Sequence, residues 1–215
     1  FDYKGVWLPL YKETLERRTA FLATVPYSDM AVYKAILERT PTPYHIQISN
    51  SAPIRYAQLF PAKAGWQVFC NRGTSGIDGS TSTAIGASVV QSTPTLLITG
   101  DLSFFYNSNA LWCNYIPKNL KIIVVNNAGG GIFRILPTDK GTPFFETFQE
   151  TTHSLTAKHL CAMYGFTYLC AQNQEELTKT LETFFSQYES PMLLEVFTPR
   201  ILNNTILKGY FNVLS

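Results

Sequence analysis

The chain lacks the usual spacings of metal knuckles and disulfide frameworks. Its four cysteines, Cys70, Cys113, Cys161 and Cys170, are scattered with no CxxC pair, a pattern of reduced, mostly buried thiols. That usage favours the cytoplasm. Histidine is scarce, and His45, His153 and His159 stand apart, so no histidine is assigned to catalysis and no Ser–His–Asp arrangement can be read. His45 lies within an apolar run and is expected to be structural. Charge is low, at 15% of residues with a net charge of +2. This argues against nucleic acid as a partner and against an acidic tail. No apolar run reaches the length of a membrane span. The P-loop pattern GxxxxGK[ST] is missing. Gly73, Gly76 and Gly79 are spaced GxxGxxG, not GxGxxG, and no strand opening a dinucleotide unit precedes them. There is no internal repeat and no low-complexity segment.

What is present is a core. With 215 residues and 46% hydrophobic content, the chain can build one large or two small domains. Six apolar runs are expected as strands: Tyr44–Ile48, Trp66–Cys70, Thr95–Thr99, Lys121–Val125, Thr167–Ala171 and Met192–Phe197. Several are almost continuously apolar, as in strands covered on both faces of a parallel sheet. Helical patterns lie between most of them, over Arg55–Phe60, Ser80–Val90, Asn107–Asn114 and Leu155–Tyr164. Asn173 with Glu176 resembles a capping box, and Leu177, Leu181, Phe184 and Phe185 mark an amphipathic helix behind it. Ser28 is placed to cap a helix over 29–38, with Met30, Ala31, Ile36 and Leu37 inward. Alternating strands and helices give an α/β fold with a doubly wound parallel sheet. The expected division is a leading linker and solvated helix over 1–39, a ligand-binding domain over 40–200 and a C-terminal tail over 201–215. The chain opens on Phe1 instead of methionine, and a piece of a longer protein, cut at a domain boundary, is expected.

Polar, glycine-rich segments follow four of the strands: Ser49-Asn50-Ser51, Asn71 through Gly79, Gly100 through Phe104, and Asn126 through Phe133. Ligands of open parallel sheets bind at that carboxyl edge. Asp101 after one strand and Asn127 after the next supply a carboxylate and an amide oxygen, and a carbonyl near Gly129 a third donor. Hard oxygen ligands shared with phosphate suit Mg²⁺ carrying a diphosphate. Asp101 alone would read as a turn or N-cap residue and Asn126-Asn127 alone as a turn; their joint placement favours the metal. The glycines at 129–131 admit close backbone approach, and Ser103 with amides at a helix start can receive phosphate oxygens. Arg55 and Arg72, just past strand ends, suit two-point contact with substrate carboxylates. Ile77, Ile132, Phe133 and Leu136 are apolar residues inside polar loops, fit to wall a heterocyclic cofactor.

The pair Gly100-Asp101 and Asn126-Asn127 resembles the thiamine diphosphate motif of decarboxylase-like enzymes. Ser49 through Arg55, Asn71-Arg72-Gly73-Thr74-Ser75-Gly76-Ile77-Asp78-Gly79 and Gly129 through Phe133 resemble more closely the 2-succinyl-5-enolpyruvyl-6-hydroxy-3-cyclohexene-1-carboxylate synthase family of menaquinone biosynthesis. NRGxSGIDG is the most specific stretch, and the resemblance covers roughly 40–200, the family's C-terminal diphosphate-binding domain. It implies a three-layer α/β/α thiamine diphosphate-binding fold with six parallel strands in the order 2-1-3-4-6-5. The implied activity is a carboligase that decarboxylates 2-oxoglutarate and adds the succinyl carbanion equivalent to isochorismate. The implied cofactors are thiamine diphosphate and Mg²⁺, or Mn²⁺ in its place. Asp101, Asn127 and the Gly129 carbonyl would hold the metal. Ser49, Asn50, Ser51, Arg72, Gly73 and Ser75 would contact the cofactor. Asp101, Leu102, Ser103, Asn127, Gly129, Gly131, Ile132 and Phe133 would contact it as well, with Ile77 propping its bent form. Ser51, Arg55, Arg72, Ile132, Phe133 and Leu136 would meet substrate. Ala128 departs from the family, which often has a third asparagine there. The activating glutamate belongs to a pyrimidine-binding domain from a partner subunit, so a homo-oligomer is implied, no catalytic residue is assigned in this chain, and no turnover is expected from it alone. An acetolactate-type carboligase and a non-catalytic binding or oligomerisation module of the same fold are the competing readings; the NRGxSGIDG stretch with Arg72 argues against the former.

Overall fold

A computed structural model describes residues 2–214. Six strands form one sheet in the order β2-β1-β3-β4-β6-β5, and every pair is parallel. They are β1 (Tyr44–Ile48), β2 (Trp66–Cys70), β3 (Thr95–Gly100), β4 (Leu120–Asn126), β5 (Thr167–Ala171) and β6 (Met192–Phe197). The expected strands all form; β3 and β4 run a residue further at their ends. β1, β3, β4 and β6 are buried almost throughout, whereas the edge strands β2 and β5 are largely half-exposed or exposed.

The continuous apolar runs have a simple cause: both faces are covered. Leu96, Ile98, Ile123, Val125, Leu194 and Val196 point to one core, shared with helices α2 (Asp29–Arg39), α3 (Ala52–Ala57), α7 (Gln174–Ser186) and α8 (Leu202–Leu214). Their neighbours Leu97, Ile122, Val124 and Leu193 point to the other, shared with α4 (Ser80–Val90), α5 (Asp101–Tyr106) and α6 (Lys158–Tyr164). Alternation of side chains along a strand therefore produces three layers from uniformly apolar sequence.

Helix starts follow local chemistry. Asn173 Oδ1 accepts from Glu176 N at 2.9 Å while Glu176 Oε2 accepts from Gln172 N at 2.8 Å, a working cap for α7. Ser28 occupies the N-cap position of α2, but its hydroxyl donates to the Pro26 carbonyl at 2.8 Å, so the expected side-chain cap is not made. The helix expected over Arg55–Phe60 begins earlier, at Ala52, with Pro53 in its first turn, where a missing N–H is harmless. The helix expected over Asn107–Asn114 is a 3₁₀ turn, Ser108–Trp112, and α5 precedes it with only Asn107 between them. The helix α1 (Tyr3–Thr24) buries none of its described residues. The segment expected as a C-terminal tail carries α8, which buries Asn203, Ile206, Leu207 and Tyr210, and Tyr210 meets Phe21 of α1 edge-on at 5.9 Å. Phe1 and Ser215 lie outside the described residues.

Candidate functional site

The parallel register sets Gly100 beside Val125, so the chain leaves the sheet at two adjacent points carrying Asp101 and Asn127. Asp101 is buried at the first position of α5. Its Oδ1 accepts from Leu102 N at 2.7 Å and its Oδ2 from Gly129 N at 2.9 Å. His153 Nε2 approaches the same Oδ2 at 3.2 Å, without hydrogen-bond alignment. Asn127 is also buried. Its Nδ2 donates to Asp29 Oδ2 at 2.9 Å, and its Oδ1 has no hydrogen-bond partner among the described residues. A buried amide oxygen without a donor is costly and calls for a ligand.

Both residues line a cleft of about 140 Å³ at the carboxyl edge of the sheet. Asn50, Ser51, Ile77, Leu102, Ser103, Gly129, Gly131, Ile132 and Phe133 line it with them. Ser49, Arg55, Arg72, Gly73, Ser75 and Leu136 stand outside that lining. Ser49 Oγ accepts from Gly100 N at 3.4 Å, tying β1 to β3. Arg72 Nη1 donates to Asn50 Oδ1 at 2.8 Å, and Asn50 Nδ2 donates to the Gly76 carbonyl at 3.1 Å. Asn50 therefore holds the glycine-rich 71–79 loop against the cleft. Arg55 Nη1 donates to the Ser51 carbonyl at 2.8 Å. Ser51 adopts φ 73°, ψ −128°, a strained backbone of the kind that clusters at ligand sites. The Ser103 hydroxyl donates to the Ile77 carbonyl, fixing the apolar wall to α5.

The turn after β4 is equally tight. Gly129 has φ +149°, and a Cβ there would meet the Glu150 carbonyl oxygen at 2.8 Å. Gly130 N donates to that carbonyl at 2.6 Å. Glu150 is fully buried, paired with Arg134 and with Arg200, the latter at 2.9 Å. The Gly129 carbonyl, expected as a third metal donor, accepts from Gly131 N at 3.0 Å and keeps its second lone pair.

Several residues at the site escaped the sequence reading. Asp29 and Tyr33 of α2 line the cleft. Burial pushes the Asp29 carboxyl up to about 6; hydrogen bonds from Thr198 and Asn127 pull it back, and Asp101 adds repulsion. Glu150 and His153 come from the long connection before α6. Glu195, fully buried in β6, accepts from Asn126 Nδ2 at 2.8 Å, Thr156 Oγ1 at 2.7 Å and the Tyr168 hydroxyl at 2.8 Å. Its signal was visible: a lone carboxylate inside an apolar strand needs donors.

The donor set is one carboxylate, one unpartnered amide oxygen and one backbone carbonyl. It fits a hard divalent cation that completes its shell with phosphate. No group of three or more His, Cys, Asp or Glu among the described residues could hold a metal ion, and this set does not require one. Fold and cleft together define a diphosphate-binding α/β domain. The profile "Thiamine pyrophosphate enzyme, C-terminal TPP binding domain" matches residues 51–196, and the chain belongs to that family. Among curated relatives it is 51% identical to the 2-succinyl-5-enolpyruvyl-6-hydroxy-3-cyclohexene-1-carboxylate synthase of Flavobacterium psychrophilum, over 100% of this chain and 39% of that protein. It is 51% identical to the synthase of the same name from Christiangramia forsetii, over 92% of this chain and 34% of that protein. The Porphyromonas gingivalis synthase is 41% identical over 100% of this chain and 37% of its own length. The chain thus spans a little over a third of the relatives it matches. No helix among the described residues is long and apolar enough to cross a membrane.

Proposed function

We propose that residues 40–200 are the cofactor-binding domain of a thiamine diphosphate-dependent carboligase that joins 2-oxoglutarate, with loss of CO₂, to isochorismate. The observation that carries the reading is the unpartnered Asn127 Oδ1 beside Asp101 in one cleft, in a chain whose relatives are synthases of that name. Asp101, Asn127 and the Gly129 carbonyl hold Mg²⁺, or Mn²⁺, on the diphosphate. Thiamine diphosphate, when bound, supplies the electron sink for decarboxylation. The chain's residues position and dry it. Ser51, Leu102, Ser103, Gly131 and the 71–79 loop form the cradle, and Ile77, Ile132 and Phe133 supply apolar wall. Arg55 and Arg72, now bonded to Ser51 and Asn50, retain N–H donors for substrate carboxylates. The pyrimidine end and the activating glutamate fall to a partner subunit's domain in a homo-oligomer.

Isothermal titration calorimetry of thiamine diphosphate with Mg²⁺ tests this. The unaltered chain is expected to bind only with the metal present, and Asp101→Ala to abolish the metal-dependent heat. Unchanged affinity in Asp101→Ala refutes the assignment.

A further inference from the structure

Asn127 can serve a cation only through its oxygen, and an amide can turn either edge to the cleft. The structure contains a device that settles which. Asp29 Oδ2 accepts from Asn127 Nδ2 at 2.9 Å. An ionised carboxylate only accepts, so the reversed amide would set oxygen against oxygen. With its nitrogen held, Asn127 keeps Oδ1 free, and that atom is buried with no partner among the described residues.

Asp29 is itself held from two sides besides Asn127. Thr198 Oγ1, just past β6, donates to its Oδ1 at 2.5 Å. Asn203 Oδ1, in α8, accepts from its backbone N at 2.9 Å. Asn203 Nδ2 in turn donates to the Pro199 carbonyl at 2.8 Å. The Asp29 side chain makes no ion pair with Lys or Arg among the described residues, and it lies in the wall of the cleft. A buried carboxylate without a cation is an expensive way to fill space. A role in orienting its neighbour accounts for it.

We propose that Asp29 is a positioning residue that fixes the amide of Asn127 with its oxygen toward the cation, and that Thr198 and Asn203 anchor Asp29 for that task. The inference rests on the cation site proposed above and adds the group that orders it. Partners behind metal ligands commonly govern affinity by roughly 10- to 100-fold.

The test reads Mn²⁺ affinity by electron paramagnetic resonance of the chain with thiamine diphosphate, with circular dichroism as the folding control. Asp29→Ala is expected to weaken Mn²⁺ binding by roughly 10- to 100-fold. Asp29→Asn, whose amide donates as well as accepts and so no longer dictates which edge Asn127 presents, is expected to weaken Mn²⁺ binding as well, and parent affinity in it counts against the proposal. Asn127→Ala is expected to lose at least as much as Asp29→Ala, and the double variant no more than Asn127→Ala alone. Native affinity in Asp29→Ala, or losses that add in full, overturns the proposal. Should Asp29→Ala not fold, Thr198→Val replaces it: about threefold weakening is expected, absent in the Asn127→Ala background, and no weakening overturns the proposal. If the unaltered chain takes up no Mn²⁺, or Asp101→Ala and Asn127→Ala both bind like the parent, the cation site itself falls, a separate result.

Discussion

Lys121 lies in β4, with its ammonium under the protein and no exposed surface. Its Nζ donates to the Gln187 carbonyl at 2.5 Å and sits 4.3 Å from the ring centre of Tyr188 and 5.1 Å from that of Phe184. Burial lowers its pKa from 10.5 to about 8, so the folded state gives up the proton more readily than the unfolded chain. The charge therefore weighs against folding below about pH 8, and this penalty is relieved as pH rises from about 8 to 10.5. Against a Lys121→Met variant, which has no such titration, the parent's urea midpoint is expected to gain ground across that window. A constant difference from pH 7 to 10.5 contradicts the assignment. Side chains such as Lys121, Asp29 and Glu150 were the least legible part of the sequence. Their roles depend on contacts between residues far apart in the chain, whereas Asp101 and Asn127 announced themselves by following apolar strands.

Elements were easier to read than residues where burial alone decides them. The interior strands follow from apolar runs, and α7 follows from its cap and its inward stripe. Elements decided by backbone detail were misplaced: α5 begins directly at the strand end with Asp101, and Pro53 draws the start of α3 forward. The segment 201–215, expected as a C-terminal tail, forms the helix α8, whose Ile206, Leu207 and Tyr210 repeat at helical spacing. Its burial gives a prediction. A chain ending at Arg200 uncovers the face of the core those residues fill and removes Asn203 from behind Asp29. Each large buried side chain lost is worth about 2–5 kcal/mol, so the shortened chain is expected to melt well below the parent and to bind Mn²⁺ less tightly. A shortened chain with the parent's melting temperature would show α8 to be dispensable.

At the scale of the whole molecule, the proposed site opens at the carboxyl edge of the sheet. The order of the six strands was not deducible from residue patterns; it came with the family resemblance, and the sheet has that order. The 140 Å³ cleft is small for an entire cofactor, consistent with a proposed second wall from a partner subunit. Large apolar side chains stand exposed at Trp7, Tyr11, Trp112, Tyr115, Phe144 and Phe148. The chain alone is expected to produce no CO₂ from 2-oxoglutarate in the presence of isochorismate, thiamine diphosphate and Mg²⁺. Turnover by the isolated chain, followed as CO₂ release, would show that no partner domain is needed.

Ala128 has φ +62°, between Asn127 and the glycines at 129–131. A left-handed bend is uncomfortable for alanine and tolerable for asparagine, which gives a backbone reason for the asparagine that the family resemblance implies at this position. One exchange, Ala128→Asn, thus offers a handle for hardening the domain against heat.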